Sequence, residues 1–408
     1  MTSRYATLSR EQLAVLVPEL LLIGQLVDRS GMGWCIKPFG HPGMLEIAIE
    51  EWMGASPIYT KRMQRALNFE GDDVITIFKG LQLDIGAPPQ FMDFRYTVHD
   101  RWHGEFHLDH CGALLDVEPM GEDYVRGMCH DIEDPTFDAT AVATNRKAQI
   151  RPIHRPPRVP ADRQPHCAWT VIIDESYQEI DDHPVIDVMR RTRAARIELD
   201  PIDVDDEGRS DYSGELVSDV DFATFSHSAL VRIADEICVQ MHLLNLSFVI
   251  AVGKRAGTDT ELAEKICTRQ LTGIAGVAAE RIHRALELPG GVEGAVRTLE
   301  LHPMFNPTSY VTADFGPDAV EVRKSAADED GAWVSLMGPS STRPLKAAVA
   351  AVDPHLDVEL TGTDVDWTAR VIETDTAAEE FREVSVVRFS GGSTFVFEPR
   401  KSLPLTVV

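Results

Sequence analysis

This sequence has few cysteines, little basic charge and no long uninterrupted apolar run. Six cysteines in 408 residues are too few for a disulfide scaffold and favour a reducing cytoplasm. Because the formal net charge is −26, binding to nucleic acid or to an anionic membrane is not expected. Pro18, Glu19 and Gln25 interrupt the apolar stretch at residues 13–27, so neither a signal peptide nor a membrane span is predicted. We therefore expect a soluble cytoplasmic protein with a small-molecule partner, as a monomer or homodimer.

Helical patterns come first in the chain and strand patterns follow. Ser9 and Gln12 form a capping-box pattern ahead of apolar residues at helical spacing, and residues 31–43 predict a turn rich in glycine and proline. Residues 44–65 and 74–83 return to helical spacing, and short alternating runs begin at Phe94. The predicted order is helices followed by an antiparallel sheet.

The second half of the chain repeats this order. RMQRAL at residues 62–67 recurs as RIHRAL at 281–286, and KGLQL at 79–83 recurs as RTLEL at 297–301. Met120-Gly121 and the run at 134–138 also recur, and all four pairs lie 217–219 residues apart. We predict an internally duplicated α+β unit in a pseudo-two-fold arrangement: a working copy at residues 1–178, an acidic linker at 179–222 and a degenerate copy at 223–408.

Residues 105–170 concentrate the reactive side chains. Phe106–Cys111 is predicted as a strand with His107, Asp109 and Cys111 on one face, and residues 129–134 as the end of a helix stopped by Pro135. Three roles are open: a thiolate nucleophile with its base, a zinc or iron site, or buried core thiols with locally bonded histidines. The candidate metal ligands are His110, Cys129, His130 and His154, and the candidate catalytic residues are Cys111, Asp131 and Glu133.

The second copy lacks these reactive residues. Roughly Lys324 and Ser325 stand where the first copy has His110 and Cys111, residues 346–348 replace residues 129–131, and Cys167 corresponds to a segment near 390–394. A purely structural cluster would be expected to persist in both copies, so its loss favours a functional role in the first.

Three arginines lie between prolines in an otherwise acidic chain. Guanidinium groups suit carboxylate or phosphate recognition, so Arg151, Arg155 and Arg158 are candidates for binding a substrate anion. The alternative is that they pair with this protein's own carboxylates.

The order of these signals resembles the L-2-amino-thiazoline-4-carboxylic acid hydrolase-like family and is distantly similar to V4R domains. The residues that carry the resemblance are Cys111, Met120-Gly121, Cys129, Asp131 or Asp134, and Cys167-Ala168-Trp169, within residues 44–173. The resemblance implies a compact α+β unit and the opening of a small carboxylated heterocycle by water. His110 directly before the first cysteine and the added histidines depart from the family's pattern and favour metal-assisted chemistry.

We therefore expect an enzyme that acts on a small carboxylate-bearing molecule by hydrolytic or lyase chemistry at a Cys/His site in the first copy, with zinc or iron as the expected cofactor if its ligands converge. The alternative is a V4R-like module that binds a metal, haem or small ligand without turnover. A third is a structural protein whose duplicated units only pair with each other.

Overall fold

The computed structural model describes residues 2–408, and its first half opens with a long helical hairpin. Helix α1 (Arg10–Ala66) begins at the predicted capping box, in which the Ser9 hydroxyl accepts from the Gln12 N–H and the Gln12 side chain accepts from the Ser9 N–H. The predicted turn at residues 31–43 is wrong in extent, because only Gly40 leaves the helical conformation, at φ 72° and ψ 173°. Trp52 Nε1 lies 3.3 Å from Asp28 Oδ1, so the two arms of α1 run antiparallel.

A short helix and a four-stranded antiparallel sheet complete the first repeat. The sheet has the strand order β1-β2-β4-β3, with three further helices between β2 and β3. The elements are α2 (Val74–Leu81), β1 (Met92–Asp100), β2 (His103–Cys111), α3 (Gly112–Val117), α4 (Glu122–Arg126), α5 (Glu133–Val142), β3 (Ala148–His154) and β4 (Cys167–Ile173).

The helical segment around Cys129 does not end at Pro135 as predicted. Residues Gly127–Ile132 form a π-helical turn between α4 and α5, and Pro135 lies in the first turn of α5. The π turn changes the hydrogen-bond ladder just before Pro135, and such a local change lets a helix continue past a residue that has no N–H to donate. The π turn therefore continues the helix and changes the direction in which its side chains point.

The second half has the same order of elements. Two short helices, α6 (Val185–Met189) and α7 (Arg193–Arg196), lie in the acidic connecting segment. After them come α8 (His227–Ala256), α9 (Thr260–Ala285), α10 (Gly291–Leu301), β5 (Thr312–Phe315), β6 (Ala319–Arg323), α11 (Ala326–Asp330), α12 (Arg343–Val352), β7 (Leu356–Gly362), β8 (Trp367–Glu373) and α13 (Arg382–Val387).

The predicted fold class, a duplicated α+β unit, is confirmed. The second sheet has the order β5-β6-β8-β7, which is the order of the first, and α8 with α9 forms a hairpin that matches the two arms of α1. Ser226 caps α8 at the position equivalent to Ser9. Cys167 begins β4 where Trp367 begins β8, so the correspondence of Cys167 with residues 390–394 is wrong, because the β3–β4 loop is much longer than the β7–β8 loop.

Reciprocal contacts relate the two repeats by a pseudo-two-fold axis. Arg10 Nε donates to the Phe225 carbonyl at 2.7 Å, and His227 Nε2 lies 2.9 Å from the Leu8 carbonyl. Arg10 is the first residue of α1 and His227 is the first residue of α8. Each of them contacts the carbonyl of the residue two positions before the start of the other helix. The α1 arms, α8 and α9 pack together through the largest apolar core of the protein. Helix α8 is long and apolar enough to cross a membrane by composition, but 83% of its most apolar window is buried in this core.

Candidate active site

A cavity of about 590 Å³ lies in the first repeat, within the size range of small-molecule sites. Both arms of α1, strand β1 and helices α3 to α5 form its wall, and the segment after α13 reaches it from the second repeat. Most of the wall is apolar, with contributions from Met32, Ile36, Met44, Leu45, Ala48, Leu81, Met92, Phe94, Tyr124, Met128, Ile132 and Phe137.

Two carboxyl groups face each other in the interior of the helical hairpin. Asp28 lies on the cavity wall beside Glu51, whose two carboxyl oxygens are buried and have no hydrogen-bond partner among residues 2–408. Burial, and then the neighbouring Asp28, raise the pKa of Glu51 well above its ordinary value. Arg29 Nη1 lies 3.0 Å from Asp28 Oδ2 and opposes the rise that burial causes in the pKa of Asp28. Burial and the nearby carboxylate therefore favour the protonated form of Glu51.

The second repeat has amides in place of this acid pair. Asn245 of α8 and Gln270 of α9 lie at the equivalent positions, and Asn245 Nδ2 donates to Gln270 Oε1 at 2.9 Å. The amides occupy the equivalent positions without an ionisable group, so packing at this point of the fold does not require acids.

Glu133 is another acid on the cavity wall. The π turn places Glu133 at the start of α5, and its Oε2 atom is enclosed and has no hydrogen-bond partner. Burial raises the pKa of Glu133 to about 8, although the nearby Arg155 opposes the rise. A carboxyl with this pKa is mainly protonated at physiological pH and can donate a proton.

Asp84 provides an ionised carboxylate on the same wall. Tyr59 Oη donates to Asp84 Oδ1 at 2.8 Å, and the Gly86 N–H donates to the same oxygen at 2.7 Å. Burial raises the pKa of Asp84 to about 6, and these two hydrogen bonds limit the rise. The cavity thus holds one carboxyl that is protonated at neutral pH and another that is mostly ionised.

The rim of the cavity joins the two repeats. Asp116, at the end of α3, accepts from Ser390 Oγ at 2.6 Å and from the Gly391 N–H at 3.0 Å, and its Oδ2 lies 3.6 Å from Arg29 Nε. Phe389 also lines the cavity and is 93% exposed to solvent. The segment after α13 is therefore tied across the rim by hydrogen bonds.

The three cysteines of the predicted site lie in the core of the first repeat. The Cys111 thiol accepts from the Leu114 N–H as the N-cap of α3, a position that Ser325 occupies before α11. Cys111 also faces the core, not the face of His107 and Asp109 as predicted, because a bulge between β1 and β2 shifts the alternation. Burial raises the pKa of Cys111 to about 12 and also raises those of Cys129 and Cys167.

The predicted metal ligands lie at separate places. His130 Nε2 is 2.7 Å from the Pro156 carbonyl, His154 ends β3, and His110 lies beside the rings of Phe91 and Phe395. Burial lowers the pKa of His110 and of His154. Asp131 is exposed to solvent, and among residues 2–408 no three of the predicted residues bring ligand atoms within 4.8 Å of one another.

Each of the three predicted substrate-binding arginines pairs with a carboxylate of this chain. Arg151 Nη1 lies 2.9 Å from Asp138 Oδ2, and Arg158 Nη2 lies 2.8 Å from Glu118 Oε2. Arg155 pairs with Asp134. None of the three arginines lies on the cavity wall.

The structure therefore brings Glu133, among the predicted residues, into a site whose other polar members the sequence reasoning missed: Asp28, Arg29, Glu51, Tyr59 and Asp84. The repeat offered one signal for two of them, because Asp28 aligns with Asn245 and Glu51 with Gln270 at the spacing of the other repeated motifs. No family model, curated protein or solved structure matches this chain.

Proposed function

We propose that this protein is an enzyme that protonates and deprotonates a small, mainly apolar molecule in the cavity of the first repeat, by hydrolytic or lyase chemistry. One observation carries the proposal: acids that line or adjoin this cavity have neutral counterparts in the second repeat. Asn245 and Gln270 replace Asp28 and Glu51 at the equivalent positions of α8 and α9. The packing of the fold does not require these acids, so a function of the first repeat explains them better.

Two carboxyls with different pKa values supply the acid and the base. Glu133, whose pKa is raised to about 8, is the proton donor, and Asp84, whose pKa is raised to about 6, is the proton acceptor. Environments that push the pKa values of two carboxyls apart are how enzymes obtain both roles from one residue type. The buried cysteines do not act as nucleophiles in this mechanism, because their raised pKa values keep them protonated.

The polar groups of the cavity favour a ligand with a basic or proton-accepting group. Asp28, Asp84 and Glu133 offer carboxyl oxygens, whereas the guanidinium of Arg29 is already paired with Asp28. A carboxylate on the ligand would meet more negative than positive charge. A cationic nitrogen next to Glu133 would favour the loss of its proton and would form an ion pair with the resulting carboxylate.

Matched ligands test this preference. Octylamine, octanol and octanoate share an eight-carbon chain and differ in charge, so calorimetric titration of each isolates the effect of the polar group. We expect octylamine to bind more tightly than octanoate by more than about tenfold. Tighter binding of octanoate would contradict the proposed ligand class and favour a carboxylate-bearing substrate.

Turnover is tested with a mixture of small metabolites and mass spectrometry. The wild-type protein should deplete one mass and produce another, Glu133→Gln should slow this conversion by about 100-fold or more, and the exposed neighbour Asp131→Asn should retain it. Equal conversion by Glu133→Gln would overturn the proposed role of Glu133. Binding without conversion by the wild type would instead indicate a binding protein.

A further inference from the structure

Two histidines and a glutamate meet at the tip of the β1–β2 hairpin, away from the cavity. One ligand atom each of His99, His103 and Glu105 lies within 4.8 Å of the others, and the two imidazole rings have centroids 4.6 Å apart. Among residues 2–408, no other group of three histidine, cysteine, aspartate or glutamate side chains is this close.

The backbone explains why the three side chains converge. Buried and less buried residues alternate along β1 and β2. The less buried ones, including Thr97 and Glu105, point to the outer face of the sheet. The register shifts between Val98 and Asp100, so His99 is the extra residue of a bulge opposite His103. A bulge turns a side chain relative to the regular pleat, and here it places His99 beside both His103 and Glu105.

The distance between His99 and Glu105 fits two ligands of one metal ion. His99 Nε2 lies 3.2 Å from Glu105 Oε1 but lacks the alignment of a hydrogen bond, and this nitrogen is shielded from solvent without another partner. Zinc binds nitrogen and oxygen at about 2.0–2.2 Å in a tetrahedron, which sets neighbouring ligand atoms about 3.4 Å apart. The shielded nitrogen therefore has no hydrogen-bond partner that would compete with a bound cation.

We propose that His99, His103 and Glu105 form a binding site for a divalent transition metal of the zinc type, with a fourth position open to water. Imidazole and carboxylate ligands suit zinc, and three protein ligands with one open position are typical of accessible zinc sites. The hairpin tip is partly exposed, so an ion can reach it without unfolding. Arg101, the nearest arginine along the chain, is paired with Asp72 and does not compete for Glu105.

The second repeat provides no equivalent of this site. Strands β5 and β6 are shorter than β1 and β2, and their connecting segment, residues 316–318, contains no histidine. A bound ion would cross-link the two ends of the β1–β2 turn, so it would stabilise the hairpin against opening. The site is thus specific to the longer hairpin of the first repeat.

Zinc binding to the full chain, purified without a histidine tag and treated with a chelator, tests the proposal. The wild type should bind one equivalent of zinc that His99→Ala and His103→Ala both lose, and Glu105→Gln should weaken binding by more than about tenfold. His107→Ala is the matched control, because His107 lies on the same face of β2 and pairs with Asp109 instead. This variant should retain the zinc.

Replacing zinc by cobalt identifies the ligand atoms from the visible spectrum, so this test does not depend on how stable each variant is. The cobalt protein should show a tetrahedral visible spectrum without a thiolate charge-transfer band, and His99→Ala should remove it. A thiolate band would assign the metal to cysteines and overturn the proposal. Loss of zinc from His107→Ala but not from His99→Ala, or no binding by the wild type at micromolar zinc, would also overturn it.

Discussion

Arg281 of α9 and Glu19 of α1 form a buried ion pair between the two repeats, with Arg281 Nη2 2.6 Å from Glu19 Oε2. The equivalent residues form the reciprocal pair, in which Arg62 Nε lies 2.9 Å from Glu236 Oε2. Arg281 and Arg62 begin the repeated hexapeptides, so the motif that revealed the duplication is also the one that joins its halves. The pair supports the view that the repeats pack as a symmetric dimer does, with each contact made twice.

The two ion pairs should differ in their contribution to stability. Arg281→Ala leaves Glu19 in the interior without its cation and removes bonds to three backbone carbonyls, so we expect a loss of about 3–5 kcal/mol. Arg62→Ala leaves Glu236 paired with Arg232 and removes bonds to the carbonyls of Ala195 and Ile197, so its loss should be smaller, about 1.5–3 kcal/mol. Chemical denaturation measures both, and an equal loss in the two variants would contradict this account.

Glu133 should make the protein less stable as pH rises. Its folded pKa of about 8 lies above the unfolded value of 4.5, so the folded state binds more protons over that interval and loses stability with rising pH. Between about pH 6 and pH 8 the free energy of unfolding should fall by about 2 kcal/mol more in the wild type than in Glu133→Gln. This figure allows for partial solvent screening of Glu133 at the cavity wall. The free energy of unfolding measured across this range tests the prediction, and parallel curves for the two proteins would refute it.

Replacing the acid pair by the amides of the second repeat should preserve the fold. Asp28→Asn combined with Glu51→Gln keeps the shape of both side chains, and the pair Asn245–Gln270 shows that amides satisfy this contact. We expect a change in unfolding free energy within about 1.5 kcal/mol and a loss of octylamine affinity of about tenfold. Unchanged affinity would exclude the pair from the ligand site.

Gly40 should be required for the turn of the α1 hairpin. Its φ of 72° with ψ of 173° is a conformation that essentially only glycine adopts, although a Cβ there would approach Pro42 Cδ no closer than 3.7 Å. Gly40→Ala should therefore cost about 1–3 kcal/mol through backbone strain alone. Gly33→Ala, in a helical part of α1 where a Cβ would meet Val386 at 3.5 Å, is the control and should be near neutral or stabilising in thermal denaturation.

The native protein should resist thiol-modifying reagents. All six cysteines are buried, and burial raises the pKa of each thiol, Cys111 and Cys267 to about 12. We expect no labelling by a chromogenic disulfide reagent in buffer near pH 8 and the release of six equivalents in denaturant. Rapid native labelling of Cys111 or Cys129 would reopen the possibility of a thiolate nucleophile.

The sequence by itself determined the local and repeated features of this protein. The capping box at Ser9, the alternation in β1 and β2 and the paired hexapeptides are patterns of neighbouring residues, and each is readable because helix and strand periods act over a few residues. The duplication followed from the spacing of such patterns along the chain.

The tertiary structure alone decided which side chains meet at the cavity. The reactive residues at 105–170 are close in sequence, yet a bulge in the first hairpin and a π turn before Glu133 direct them to different places. Asp28, Glu51 and Asp84 lie far from that stretch in sequence and reach the site only because the α1 arms fold back at Gly40 and pack against the sheet. Such convergence depends on how distant segments pack against one another. The spacing of residues along the chain does not predict which segments will pack or which side chains will then meet.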